Sequence, residues 1–188
     1  DFGALATVSA LYRPYRADTI EIAISARLSQ LFYSKNDKLN STTWTASIYT
    51  PLQQSEKFSF TPRYIATTSY IDAERLDFTH GPEISVAYVW NKITSTKVAL
   101  EYLFRNSDDP FGTSPALKGR DGTIVGILAQ QIFSFANWQI GIRLSARNEN
   151  TDGNIYDATW LGSGISVQTP LLLNFMRLQS SFDVNHAD

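Results

Sequence analysis

The amino-acid sequence predicts an all-β fold, an antiparallel up-and-down meander of about ten strands that forms a β-barrel or a segment of a larger one. Three observations predict it. Apolar and polar residues alternate with period two over most of the 188 residues, and helical spacing outcompetes that alternation in no useful window. The alternating runs are long, roughly ten residues or slightly more, against about 5–6 for ordinary strands. The connections alternate between short turns and longer polar loops, as in a meander with tight turns at one end.

The clearest unit is the hairpin over residues 83–105. Ile84, Val86, Tyr88 and Trp90 share one parity, and Glu83, Ser85 and Ala87 the other. Past the turn, Val98, Leu100, Tyr102 and Phe104 lie opposite Lys97, Ala99, Glu101 and Arg105. Residues 2–12 alternate in the same way, with Phe2, Ala4, Ala6, Val8, Ala10 and Tyr12 on one side. The segment 13–18 reads as a turn because Pro14 removes a ladder donor. Residues 19–33 form the longest clean strand, with Ile20, Ile22, Ile24, Ala26, Leu28 and Phe32 against Glu21, Ser25, Arg27 and Ser29. A polar loop over 34–41 leads to a strand over 42–50, in which Trp44, Ala46 and Ile48 share a side. After a turn at 51–56, the strand over 57–71 sets Phe58, Phe60, Tyr64, Ala66 and Tyr70 against Lys57, Ser59, Thr61, Arg63, Thr67 and Ser69.

Residues 72–82 read as a charged loop in which His80, Gly81 and Pro82 form a turn, and 106–122 as the longest loop. The strand over 123–133 is the least well patterned and the most prone to slip register. The strand over 136–147 restores the pattern, with Trp138, Ile140, Ile142 and Leu144 against Arg143, Ser145 and Arg147. A loop over 148–154, a glycine-interrupted strand over 155–168, a turn at 169–173 and a strand over 174–184 complete one barrel domain over residues 1–188.

Composition narrows the function classes. The formal net charge of −2 makes no case for nucleic acid or an anionic surface. There is no cysteine, hence no disulfide or thiolate metal site. No apolar run approaches the roughly 20 residues of a spanning helix. Asp1 leads directly into alternating sequence, as in a processed chain.

Period two leaves open which face meets water. In a soluble barrel or sandwich the apolar face points inward; in a membrane barrel it meets lipid and the polar face lines a lumen. Strand length favours the membrane, where about 9–11 tilted residues span a bilayer. So does the gathering of Tyr12, Phe32, Trp44, Tyr70, Trp90, Phe104 and Trp138 toward strand ends, the pattern of lipid-interface girdles. The polar face carries arginine and glutamate at mid-strand, and arginine forks into carboxylates in confined spaces.

On these grounds the chain resembles the transmembrane β-barrels of Gram-negative outer membranes as a class. The resemblance implies residence in the bacterial outer membrane, contact with its lipid and lipopolysaccharide, and insertion by the barrel-assembly machinery. It also implies long loops outside and short turns in the periplasm, and it is compatible with oligomers. The chain departs from the class at its end, where Phe182 is followed by Asp183, Val184, Asn185, His186, Ala187 and Asp188 instead of a terminal aromatic.

The inward charged network is expected to comprise Arg13, Glu21, Arg27, Lys57, Arg63, Glu83, Lys97, Glu101, Arg105, Arg143, Arg147, Asp157 and Arg177, with Asp183 beside them. Such a set predicts non-catalytic passage, binding or export of solutes with a mild anion preference, or else a salt-bridged plug that closes a narrow barrel. Arg27, Arg63, Glu101, Arg105 and Arg143 are expected to be its centre. An alternative is a soluble barrel or sandwich with an apolar ligand on the Ile22, Ile24, Val86, Leu100 and Ile142 face. A second is an outer-membrane hydrolase with rim chemistry at His80, although no nucleophile spacing marks one and a turn explains that histidine better. Residues 148–153 superficially match the front of a calcium loop, but its closing acidic position falls on Thr159, and a hairpin tip accounts for the segment. No cofactor and no metal site is expected, and nothing marks a nucleic-acid surface.

Overall fold

The computed structural model of the chain describes residues 3–16, 21–33, 40–72, 74–108, 121–135, 138–152, 157–168 and 179–187. They form β1 (Gly3–Arg16), β2 (Glu21–Tyr33), β3 (Ser41–Tyr49), β4 (Leu52–Gln53), β5 (Phe58–Ile71), β6 (Glu74–Val89), β7 (Thr94–Ser107), β8 (Gly122–Phe135), β9 (Trp138–Thr151), β10 (Ala158–Gln168) and β11 (Gln179–Ala187). Ten of these are full strands, each antiparallel to its neighbours in sequence. The two-residue β4 is a side branch on β5. The predicted all-β meander is therefore the observed fold. The sheet runs from β1 to β11, and among the described residues no pairing closes it between those two strands.

Several boundaries differ from the sequence reading. Residues 74–82 are strand, and Asp72, just past the end of β5, lies in the left-handed region at φ 49°. His80, Gly81 and Pro82 therefore lie inside β6. The ladder to β7 passes from His80–Phe104 to Glu83–Glu101 without bridging at Gly81 and Pro82. Pro82 brings no donor, and at Gly81 a side chain would collide with the backbone of Tyr102 and Leu103. Glycine and proline here mark a close strand approach.

Arg13 to Arg16 is likewise strand, and Pro14 sits in a register shift between Tyr12 and Tyr15. β9 runs on through Asn148, Glu149, Asn150 and Thr151, so this part of the expected loop and partial calcium motif is extended backbone. β8 carries apolar residues on both faces, which is why its alternation is faint in the sequence.

Candidate functional site

Strand pairing sorts the side chains onto two faces. One carries the arginines, glutamates and small polar residues; the other is apolar. The charged face of β5 to β10 curls around a cavity of about 670 Å³. Arg63, Lys97, Arg143 and Arg147 line that cavity with Glu83, Glu101 and Glu149.

The register places four of these residues in a single row of seven across the sheet. Tyr49 lies opposite Arg63, Arg63 opposite Glu83, and Glu83 opposite Glu101. Glu101 lies opposite Gly126, Gly126 opposite Arg147, and Arg147 opposite Trp160. The Arg63 guanidinium stands 5.1 Å over the Tyr49 ring and 3.4 Å from Glu83. Arg147 Nε is 3.7 Å from Glu101. Two glutamates facing each other across a strand pair repel, and an arginine on the far side of each compensates. Gly126 makes the second pairing possible: a Cβ there would fall 2.5 Å from Glu101 Oε1, so glycine lets the carboxylate lie across β8 toward Arg147.

Leu103 and Ile124, each on the charged face next to this row, are the buried apolar residues of the region, 5% and 1% exposed. Arg105, one step further along β7, forks onto Glu149 through Nη1–Oε2 at 2.8 Å and Nη2–Oε1 at 3.3 Å. Arg147 also approaches Glu149, at 3.7 Å. On the other side of the charged row, Lys97 faces Gln130, which faces Arg143. Among the described side chains, with Arg105 included, five cations stand against three carboxylates in and beside the cavity.

The remaining expected network residues are spread out. Arg13 and Arg16 both pair with Glu21, at 2.9 and 3.7 Å, between β1 and β2. Arg27 lies between Ser9 and Thr45 on the charged face, in a wall of hydroxyls whose contacts include Ser25–Ser47 at 2.8 Å and Thr45–Thr67 at 3.2 Å. Lys57 precedes β5 and is exposed. Asp157 precedes β10 and accepts hydrogen bonds from the Thr151 amide and hydroxyl at 2.7 and 3.1 Å, which ties the β9–β10 connection. Arg177 lies outside the described residues. The sequence reading missed Glu149 and Trp160 as members of the charged face. Their signal was parity alone: Glu149 continues Arg143, Ser145 and Arg147, and Trp160 continues Gly162 and Gly164.

The apolar face carries Ile84, Val98, Leu100, Val125, Ile127, Ile142 and Leu144, all exposed. Tyr12, Phe32, Trp44, Trp90, Phe104 and Trp138 are exposed with them, and Tyr70 is half-buried. Aromatic residues flank the aliphatic stretch. Tyr102 and Phe104 pack edge-on at 5.2 Å beyond one end, and Tyr88 and Trp90 at 4.8 Å beyond the other. The Trp90 indole N–H donates to the Thr96 hydroxyl at 2.8 Å, which donates to Gln131 at 2.6 Å. His80 belongs to this face. Its Nδ1 is 2.7 Å from the Tyr64 hydroxyl, and its ring stacks on Phe78 at 5.0 Å with Phe104 at 5.7 Å. At the start of β6, Arg75 hydrogen-bonds Asp108 and holds that carboxyl below the usual carboxylate range.

No protein-family model matches the chain, and no curated protein matches it. Among solved structures the chain is similar to the NanC porin in its rhombohedral crystal form. The likeness covers 97% of this chain and 98% of that one, with a TM-score of 0.50 and 9% sequence identity. At that identity the likeness speaks for the fold: a barrel-type antiparallel meander of matching extent.

Proposed function

We propose that this chain is an integral outer-membrane β-barrel that lets small solutes through a charged, net cationic lumen without catalysing their conversion. One observation carries this reading, the inversion of burial. Leu144 is 59% exposed and Leu100 55%, whereas the side chains of Glu149 and Arg105 are 12% and 14% exposed. In a water-soluble sheet that order is reversed, or a second layer covers the apolar face. In a bilayer it is the arrangement of lowest free energy, because lipid is the solvent for the apolar face and the lumen holds the charges.

Dimensions support the same reading. From Thr96, opposite Tyr88, to Phe104 is eight residues of β7, about 26 Å along the strand and roughly 20 Å along the normal at a tilt near 40°. With the aromatic rings at its borders, that is close to the apolar band of about 25 Å of membrane barrels. Lipid and lipopolysaccharide are the partners of that band, and the barrel-assembly machinery is the route of insertion. The likeness to a porin agrees with passage of solutes at the level of fold. The excess of cations among the described side chains around the cavity favours anions.

The test is reconstitution in a planar bilayer with a salt gradient. Discrete conductance steps with a reversal potential on the anion side are expected. Replacing Lys97 and Arg143 together by glutamate moves that potential toward cations. A folded, inserted protein that never conducts would overturn the passage reading and leave a salt-bridged, closed barrel.

A further inference from the structure

We propose that Gly126 sets the charge a solute meets in this cavity: its missing side chain is a seat in which the Glu101 carboxylate lies drawn back over β8, beside Arg147. The proposal rests on the reading of this cavity as a solute path and names the residue that governs its selectivity.

Two observations converge on this position. The first is the kind of contact each glycine makes. At Gly81 and Gly122 a Cβ would run into the backbone of the neighbouring strand, at Tyr102 in one case and Asn150 in the other. Glycine there answers to the close approach of two strands. Gly126 is different. It lies inside the regular ladders to β7 and β9, and the three atoms nearest to a Cβ all belong to the Glu101 side chain: Oε1 at 2.5 Å, Cγ at 2.7 Å and Cδ at 2.9 Å. Gly126 is buried beneath them. A glycine inside a strand weakens it. Here the glycine makes room for a carboxylate and not for a backbone.

The second observation is the charges on either side of Glu101. In its seat the carboxylate stands 3.7 Å from Arg147 Nε, Arg147 stands 3.7 Å from Glu149, and Arg105 forks onto Glu149. Glu101 thus ends a chain of four alternating charges that lies along the wall and cancels within itself. On the β6 side Glu101 faces Glu83, a like charge held by Arg63. A side chain at residue 126 closes the seat, and repulsion from Glu83 closes the opposite direction. The carboxylate then swings into the cavity, away from Arg147 and into the path of the solute. An acidic group in that place favours cations.

The first measurement is the reversal potential of the reconstituted protein in a potassium chloride gradient. Gly126→Ala adds one methyl group against the movable end of a side chain, so the strand keeps its place. It is expected to lower the chloride-to-potassium permeability ratio about twofold, the scale of one charge displaced by a few ångströms in screened water. Glu101→Gln keeps the bulk and removes the charge, and on that background Gly126→Ala is expected to leave the ratio unchanged. An unchanged ratio in Gly126→Ala alone, or the same shift with and without Glu101→Gln, would overturn the proposal. The second measurement needs no conductance. Denaturant unfolding of Glu101→Gln, Arg147→Gln and the pair gives the coupling between the two charges. That coupling is expected to be about threefold in the folding equilibrium constant and to vanish with Gly126→Ala. Coupling that survives Gly126→Ala would refute the seat even in a conducting protein. A protein that never conducts, yet loses the coupling with Gly126→Ala, would refute the passage reading and leave the seat standing.

Discussion

The ion pairs of the cavity differ in what they contribute. Arg105 and Glu149 form a two-point fork with both side chains largely enclosed, next to the buried Leu103 and Ile124. Removing one partner leaves the other charge enclosed and unpaired, so Arg105→Ala is expected to destabilise the folded protein by about 2–3 kcal/mol in denaturant unfolding. Arg13→Ala, whose side chain is half exposed, is expected to change it by less than about 1 kcal/mol. Equal effects of the two substitutions would show that the fork carries no special weight. The fork also shows where sequence reasoning stops. Arg105 was legible as an inward residue from its alternation with Tyr102 and Phe104. Glu149 was not, because it sits among asparagines and beside Asp152 and Gly153, residues that mark turns. Cross-strand pairing, not local composition, keeps that segment extended.

At the scale of elements, period two recovers most strands and their faces, and it fails where another constraint acts on the backbone. β6 was cut short because His80, Gly81 and Pro82 look like a turn, whereas the parity of Phe78, His80 and Pro82 runs straight on into Ile84. β8 was blurred because Ile124 lies beneath the charged residues while Val125 and Ile127 lie on the apolar face. The face assignment predicts an asymmetry between adjacent residues of β7. Leu100→Arg puts a cation in the middle of the apolar band and is expected to cost about 2–4 kcal/mol in a bilayer. Ala99→Arg puts the same side chain on the charged face at a far smaller cost. Unfolding of both variants from lipid vesicles measures the difference; a greater loss for Ala99→Arg would invert the two faces.

At the scale of the whole molecule, one curled sheet has to satisfy two solvents. Its charged concave side has the polarity of a water-filled space, and its other side that of hydrocarbon with aromatic borders. Neither face alone separates the two environments, since soluble barrels use the same alternation; the proposed membrane setting rests on their relative burial. The most direct measurement follows from a chain without cysteine, in which each introduced thiol is the only one. Ala99→Cys and Leu100→Cys, reconstituted in vesicles, are exposed to a small water-soluble thiol reagent and, in separate samples, labelled and quenched by a lipid-borne quencher. The account predicts that residue 99 reacts from water and escapes the quencher, while residue 100 resists the reagent and is quenched. Rapid reaction at residue 100 with lipid quenching at residue 99, or free reaction at both, would contradict it.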